Sequence, residues 1–527
     1  MRDEAWWRDA VIYEIYVRSF ADADGDGIGD LEGIRRHLPD LADLGVDAVW
    51  LTPFYPSPLA DGGYDVADHC DVDPLFGDLA VFDALLADAH DLGLRVLVDL
   101  VPNHTSVADP WFRAALAGGP DAPERRHYLF RPGRGPHGDE PPNNWESVFG
   151  GPAWTRVTEP DGRPGPWYLH LFDSSQPDLD WTDEAVRVRF DEILRFWLDR
   201  GVDGFRIDVA HGLAKDPAFP DLVGPWTKRS LRAPGHPHWD RDEVHDVYRR
   251  WRPIADAYPG ERIFVAEAYL GSAERLARYL RPDELHSAFN FDLLLARWDA
   301  AAFREVIDDS LTHLPPIGAT PTWVLSCHDR VRHRSRYGHD RGGARARAAL
   351  FLLLGLPGGA YLYQGEELGL EEVRDLPDDL RQDPTFARTG GEDVGRDGCR
   401  VPLPWSGDEP PFGFGPGPDA WLPPPAHWAA LTRERQAADP TSMLALYRDA
   451  LALRRARTEL GTGPLAWLEA PDDVLAFERG PGLIVVLNLG DEPVALPARA
   501  GELLLGSGPL DHDGRLPPDT GGWWAAS

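Results

Sequence analysis

Lysine is almost absent. Lys215 and Lys228 are the only two in 527 residues, so nearly all positive charge is arginine, a bias that reads as genome composition. Positive charge is itself outnumbered, with 53 Lys and Arg against 87 Asp and Glu and a formal net charge of -34. Such a chain has no basic footprint for neutralising phosphates, which sets aside nucleic acid as a partner and argues against anionic lipid. Cysteine is scarce too: Cys70, Cys327 and Cys399 are widely spaced and odd in number, a pattern that suggests neither a disulfide framework nor a zinc site. Long apolar runs are also missing. The longest candidate, "AALFLLLGLPGGAYLY", is broken by Gly and Pro, and "MRDEAWWRDA" leads into "VIYEIYV" without the apolar core of a signal peptide. The expectation is a cytoplasmic protein with no membrane association.

What is present suffices for a large core, since 43% of residues are hydrophobic and 20 are Trp. Strand-like runs ("VIYEIYV", "AVWLTP", "RVLVDLVPNH", "GFRIDVA", "IFVAEAY", "SAFNFDL", "TWVLSCHD", "AYLYQGEE") alternate with amphipathic helical stretches such as "LAVFDALLADAHDLG" and "AVRVRFDEILRFWLDRG". Apolar runs with little internal alternation indicate strands buried on both faces, and regular strand–helix alternation indicates a parallel sheet. Eight such units favour a (β/α)8 barrel, α/β in class. Residues 105–178 interrupt the rhythm with a Pro-, Gly-, Asn- and Trp-rich stretch too long for a loop, so an inserted domain is expected there. The barrel then occupies 1–104 and 179–458. Short strands such as "GLIVVLNLG" predict a C-terminal antiparallel β-sandwich at 459–527.

In a barrel the chemistry gathers at the strand C-termini. Polar residues accumulate there: Asp99, Asn103 and His104 on the third strand, Arg206 and Asp208 on the fourth, Glu267 on the fifth, His328 and Asp329 on the seventh. One carboxylate at a strand end is readily explained as a helix cap. Acids on strands four, five and seven beside Arg and two His suit glycoside hydrolysis, in which one attacks the anomeric carbon, one shuttles the proton and a third stabilises an oxocarbenium-like charge.

The acidic stretch "DADGDGIGD" at 22–30 poses a separate question. Asp22, Asp24, Asp26 and Gly27 fit the opening of an EF-hand, but the twelfth position falls on Gly33 and Glu32 misses it by one. An oxygen cage for a hard cation and a solvated acidic turn both stay open on the residues alone.

The segments "DLVPNH", "GFRIDVAH", "FVAEAY" and "VLSCHD" resemble, in order, the four signature regions of the alpha-amylase superfamily, glycoside hydrolase family 13. "QPDLDW", "DGGYDVADHCDVDPLFG", "GRDGCRVPLPW" and "YLYQGEELG" are similar to its oligo-1,6-glucosidase subgroup and to bacterial alpha-glucosidases, over nearly the whole chain. The resemblance implies Asp208 as nucleophile, Glu267 as acid/base and Asp329 as transition-state stabiliser, with Arg206 holding Asp208 ionised. It implies His104 and His328 on sugar hydroxyls, Tyr64 under the sugar ring, and Asp61 closing the pocket with Arg396 as its partner and Arg400 as the alternative. Phe149 is expected at the entrance, and Val209 beside the bond that is cleaved. The acidic loop is implied to hold a structural cation, calcium before magnesium, through Asp22, Asp24, Asp26, Asp30 and the Ile28 carbonyl. No organic cofactor is implied. The chain departs from the pattern at Cys327, where Asn is usual, which puts the support of Asp329 in doubt, and at Asp180, also usually Asn. The implied activity is retaining exo-alpha-glucosidase action on short alpha-glucosides by a monomer or homodimer. A transglucosylase or disaccharide isomerase using the same intermediate is the alternative, ahead of a catalytically silent binding or transporter-partner subunit.

Overall fold

The computed structural model describes residues 5–224, 232–233 and 235–527, so Lys228 lies outside the described residues. Eight parallel strands close a barrel: β1 (Val11–Ile15), β2 (Ala48–Leu51), β3 (Arg95–Leu100), then β7 (Gly204–Ile207), β8 (Ile263–Ala266), β9 (Ser287–Asn290), β10 (Thr322–Val324) and β11 (Gly359–Tyr363), with β11 pairing back onto β1. All eight coincide with the apolar runs of the sequence. Their residues are almost uniformly buried, which is why they carry no polar alternation.

Between β3 and β7 a small sheet forms from β4 (Phe130–Arg131), β5 (Trp154–Thr158) and β6 (Pro164–Leu169), in the order β4-β6-β5. It lies within the stretch expected to be inserted. Two isolated bridges, His104 with Asp178 and Tyr128 with Leu179, pin that stretch back onto the barrel rim where it leaves and returns.

The C-terminal strands β12 (Leu465–Trp467), β13 (Val474–Arg479), β14 (Leu483–Asn488), β15 (Ala500–Gly506) and β16 (Thr520–Ala526) make one five-stranded antiparallel sheet in the order β12-β13-β14-β16-β15. Its second layer is a loop segment joined by a single bridge, Val494 to Leu516, over Val486, Ile484 and Trp524. The other face packs on the helix Gly342–Gly355. There Trp523 sits edge-on to Phe351 at 5.2 Å, and its Nε1 donates to the Phe351 carbonyl at 3.1 Å.

Many of the abundant aspartates are spent on helix starts. Asp30, Asp78, Asp109, Asp183, Asp299 and Asp383 each accept a backbone N–H as the N-cap of the following helix, a role that contributes ~1 kcal/mol apiece. No helix among the described residues is long and apolar enough to cross a membrane.

Candidate active site

The acids of β7, β8 and β10 meet above the barrel around one guanidinium. Arg206, in β7 and buried, donates through Nη1 to Asp208 at 2.7 Å and to Asp99 at 2.9 Å, and its Nη2 lies 3.1 Å from Glu267. Burial pushes Asp99 up to about 7 against the pull of Arg206. Burial also raises Asp208, with Glu267, Asp99 and Asp329 adding to the rise and Arg206 opposing it. Burial thus opposes Arg206 at both Asp99 and Asp208, so Arg206 favours an ionised Asp208 without securing it alone.

Asp329 sits in the opposite environment. Burial works against its charge, but His328, Arg396 and Arg400 more than offset that and hold it well below the usual carboxylate range. Arg396 Nη1 donates to its Oδ1 at 3.0 Å and Arg400 Nη2 at 2.9 Å. Asp329 therefore keeps two guanidinium donors, whatever Cys327 fails to supply. The Cys327 thiol is buried and pushed up by that burial, which makes it a packing residue and not a nucleophile.

The residue after Asp208 departs from ordinary backbone geometry. Val209 has a φ of 48°, rare for a β-branched residue. That turn aims its N–H at Glu267 Oε2, 2.8 Å away. Glu267 is thus held by Arg206 on one side and by the Val209 backbone on the other.

These side chains line an inner chamber of about 40 Å3 that opens into an outer one of about 490 Å3. Phe149, Phe172, Val209, Glu267, Asp329 and Arg396 border both. Asp61 borders the inner chamber and not the outer one. It receives Arg396 Nη2 at 2.6 Å and Gln176 Nε2 at 3.0 Å, and Arg396 is fixed in turn by Asp383. Gln176 also lies 3.1 Å from His104 Nε2. Burial lowers His104 to about 4, so its ring is neutral near pH 7. Arg396 extends over the Phe149 ring, 4.9 Å from its centroid. The outer walls are Trp239, His211, Tyr269, Leu295, Arg330 and Val331.

A model of the alpha amylase catalytic domain matches residues 14–463. The chain belongs to the alpha-amylase family. A domain of unknown function, DUF3459, matches 468–523 and so covers most of the C-terminal sheet. Relatives of this family member include a probable alpha-glucosidase of Rhizobium meliloti, 38% identical, with 98% of this chain and 96% of the relative covered. An oligo-1,6-glucosidase of Parageobacillus thermoglucosidasius is 34% identical, with coverage of 93% and 91%. Among solved structures, an alpha-glucosyl transfer enzyme superposes with a TM-score of 0.89 at 37% identity, covering 99% of each chain.

In this alpha-amylase family chain, Asp61, Tyr64, His104, Phe149, Asp208, Val209, Glu267, Asp329 and Arg396 all border the inner chamber. Three expected site residues do not. Arg206 stands behind the acids. His328 is stacked on Tyr64 at 5.3 Å, with its Nε2 2.8 Å from Tyr64 Oη and its Nδ1 2.5 Å from Glu14, so its ring nitrogens are occupied by the protein rather than free for a sugar. Arg400 holds the His328 carbonyl and Asp329, and the partner of Asp61 is Arg396. The sequence reading missed Gln176, which holds the chamber residues Asp61 and His104, although it opens the quoted "QPDLDW". It also missed Lys215, buried, whose Nζ bonds Asn103 Oδ1 at 2.7 Å and Asp178 at 2.8 Å and so fixes the loop that carries His104. Phe172 and Trp239 carried no signal beyond being aromatic. Asp180 only caps a turn at Thr182.

In the acidic loop, carboxylate oxygens of Asp22, Asp24 and Asp30 lie within 4.8 Å of one another. Asp26 is outside that group and accepts the Ile28 N–H at 2.8 Å. Three hard oxygens at that spacing fit a hard divalent cation. Gly33 holds the twelfth position because a Cβ there would come 2.1 Å from the Ala21 carbonyl oxygen; the following helix packs too closely for the Glu an EF-hand needs.

Proposed function

We propose that this enzyme is a retaining exo-acting alpha-glucosidase that releases terminal non-reducing glucose from short alpha-glucosides. The observation that carries the reading is that Asp61, which borders the inner chamber but not the outer one, is held by both Arg396 and Gln176, an arrangement that we take to close the space beyond the three acids. A sugar ring seated there has no room for a neighbour on its far side, so cleavage falls at a chain terminus.

Glu267 delivers its proton to the glycosidic oxygen as Asp208 attacks the anomeric carbon, and the leaving sugar departs with that proton. Glu267, now ionised, takes a proton from water, which displaces Asp208 with a second inversion. Asp329, ionised by its arginines, favours the positive charge that develops on the ring. The reaction is tested by following the anomers of the first product by NMR. Alpha-glucose is expected, and beta-glucose as the initial product excludes this mechanism. Asp208→Asn and Glu267→Gln are each expected to remove most turnover with the fold intact.

A second reading, transglucosylation or disaccharide isomerisation, is favoured by the likeness to the glucosyl transfer enzyme and by the 490 Å3 outer chamber. A sugar held there intercepts the same glucosyl-enzyme in place of water. Asp22, Asp24 and Asp30, with Asp26 and the Ile28 carbonyl nearby, are proposed to hold a structural calcium, or magnesium in its place. The cation's part is to tie the acidic loop together, and no catalytic acid belongs to that loop. Cytoplasmic location follows from the same reading of short, soluble substrates.

A further inference from the structure

The outer chamber has three guanidiniums, Arg232, Arg330 and Arg396, and they differ in what already engages them. Arg396 is committed to Asp61, Asp329 and Asp383. Arg232 is 2.5 Å from Asp292. Arg330 is different. Its Nε donates to Tyr269 Oη at 3.2 Å and its plane lies 5.0 Å from the Tyr269 ring centroid. Among the described residues no carboxylate pairs with it, and its two terminal nitrogens make no hydrogen bond within the protein.

The side chain is nonetheless held in place. Tyr269 is stacked on Phe291 with centroids 4.1 Å apart and planes 9° from parallel, so the ring that carries the guanidinium is itself fixed. The chamber's carboxylates already have partners: Glu267 has Arg206 and the Val209 N–H, Asp329 has two arginines, Glu372 accepts the Arg332 N–H at 3.1 Å, and Asp393 accepts the Gly395 N–H at 3.0 Å. Arg330 directly follows Asp329 in the chain and stands on the wall past which a leaving group departs.

We propose that Arg330 is the anion-binding residue of the leaving-group site, so that the preferred substrate carries a carboxylate or phosphate on the departing sugar. This rests on the alpha-glucosidase reading and names its substrate class. A neutral leaving sugar gives the terminal nitrogens only hydroxyl acceptors. An anionic one gives a charge-assisted pair, the stronger kind, and a planar guanidinium suits either anion. The bond chemistry is unchanged, with Glu267 still protonating the departing oxygen.

The test compares substrates matched except for charge, using the purified full-length enzyme. Maltitol and maltobionate share the same alpha-1,4 glucoside and differ only in whether the terminal carbon is an alcohol or a carboxylate. Trehalose and trehalose 6-phosphate form the phosphate arm. In at least one pair the anionic member is expected to exceed its neutral partner tenfold or more in kcat/KM at low ionic strength, and by less as salt rises; the pair that shows it identifies the anion. Arg330→Gln is expected to lower the anionic member at least tenfold more than the neutral one, and Arg330→Lys to restore part of the difference. Ratios near one in both pairs overturn the proposal. So does an anionic preference that survives Arg330→Gln, or a variant that slows both members alike, which makes Arg330 a wall residue only. An enzyme inert on maltose, isomaltose and all four test substrates, neutral and anionic alike, overturns the alpha-glucosidase reading itself.

Discussion

Arg396 joins Asp61 to Asp329: one terminal nitrogen lies 2.6 Å from the first carboxylate and the other 3.0 Å from the second. The residue proposed to close the pocket and the residue proposed to stabilise the developing charge are therefore set by a single planar fork.

Arg396→Lys keeps the charge but not the geometry, because an ammonium is a point donor without the fork. Losing one charge-assisted contact in a buried site costs about 1.5–3 kcal/mol, which predicts a loss of roughly 10- to 150-fold in kcat/KM. Steady-state kinetics on a disaccharide checks it. A loss of less than threefold means that Arg400 takes over both contacts.

The same pair gives a pH dependence. Burial pushes Asp61 up to about 6, against the pull of Arg396 and Arg400, from an ordinary value of 3.8. As pH falls through about 6 the carboxylate takes a proton, its ion pair with Arg396 loses its charge, and KM is expected to rise. The stability term has the opposite sign: a raised value favours the folded state below the ordinary 3.8, and that contribution is lost as pH rises through about 6. Asp61→Asn should flatten KM across this window, as measured by kinetics at fixed ionic strength. An unchanged acid limb in the variant assigns it to another group.

Chelation, or Asp24→Ala, is expected to lower the melting temperature by a few degrees, with any activity loss tracking unfolding. The loop is well placed for such an effect, because Asp22 N–H reaches the Phe414 carbonyl at 2.8 Å and the Gly27 carbonyl accepts the Trp421 N–H at 2.9 Å. A scanning calorimetry trace unmoved by chelator and by the variant returns the loop to a plain acidic turn.

Val209→Ala addresses linkage. Its side chain borders both chambers, and the resemblance associates Val here with alpha-1,6 cleavage. Removing two methyls changes discrimination by about 1–3 kcal/mol at most, so the ratio of maltose to isomaltose kcat/KM should rise about tenfold, the lower end of that range. An unchanged ratio places linkage reading elsewhere on the outer wall.

How much of this was legible in the sequence depends on the reach of each contact. The eight barrel strands were readable because burial on both faces leaves short apolar runs that alternate regularly with amphipathic helical stretches. Asp208, Glu267 and Asp329 were readable because each ends such a run. The partner of Asp61 was readable only through the motif, which put Arg396 first and Arg400 as the alternative; the fold, which brings Arg396 across 335 positions, decides for Arg396. For His328 the motif shows the residue, but only the fold reveals that Tyr64 and Glu14 lie against its two nitrogens. Arg330 gave no sign at all, because an arginine without a carboxylate is defined by its surroundings and not by its neighbours in the chain.

The proposed closure of the inner end has a kinetic consequence. In the proposed reaction a chamber with one mouth fixes the order of departure: the detached sugar, lying nearer the opening, leaves first, and glucose, still esterified to Asp208, leaves last. During that interval the outer space is vacant while the inner one is committed. Whatever diffuses in meets an activated glucosyl group, so the split between hydrolysis and transfer becomes a matter of what the surrounding solution contains and for how long the ester survives. Free glucose, entering the same cul-de-sac, competes with substrate for the innermost position, whereas the released leaving sugar competes only with the next acceptor.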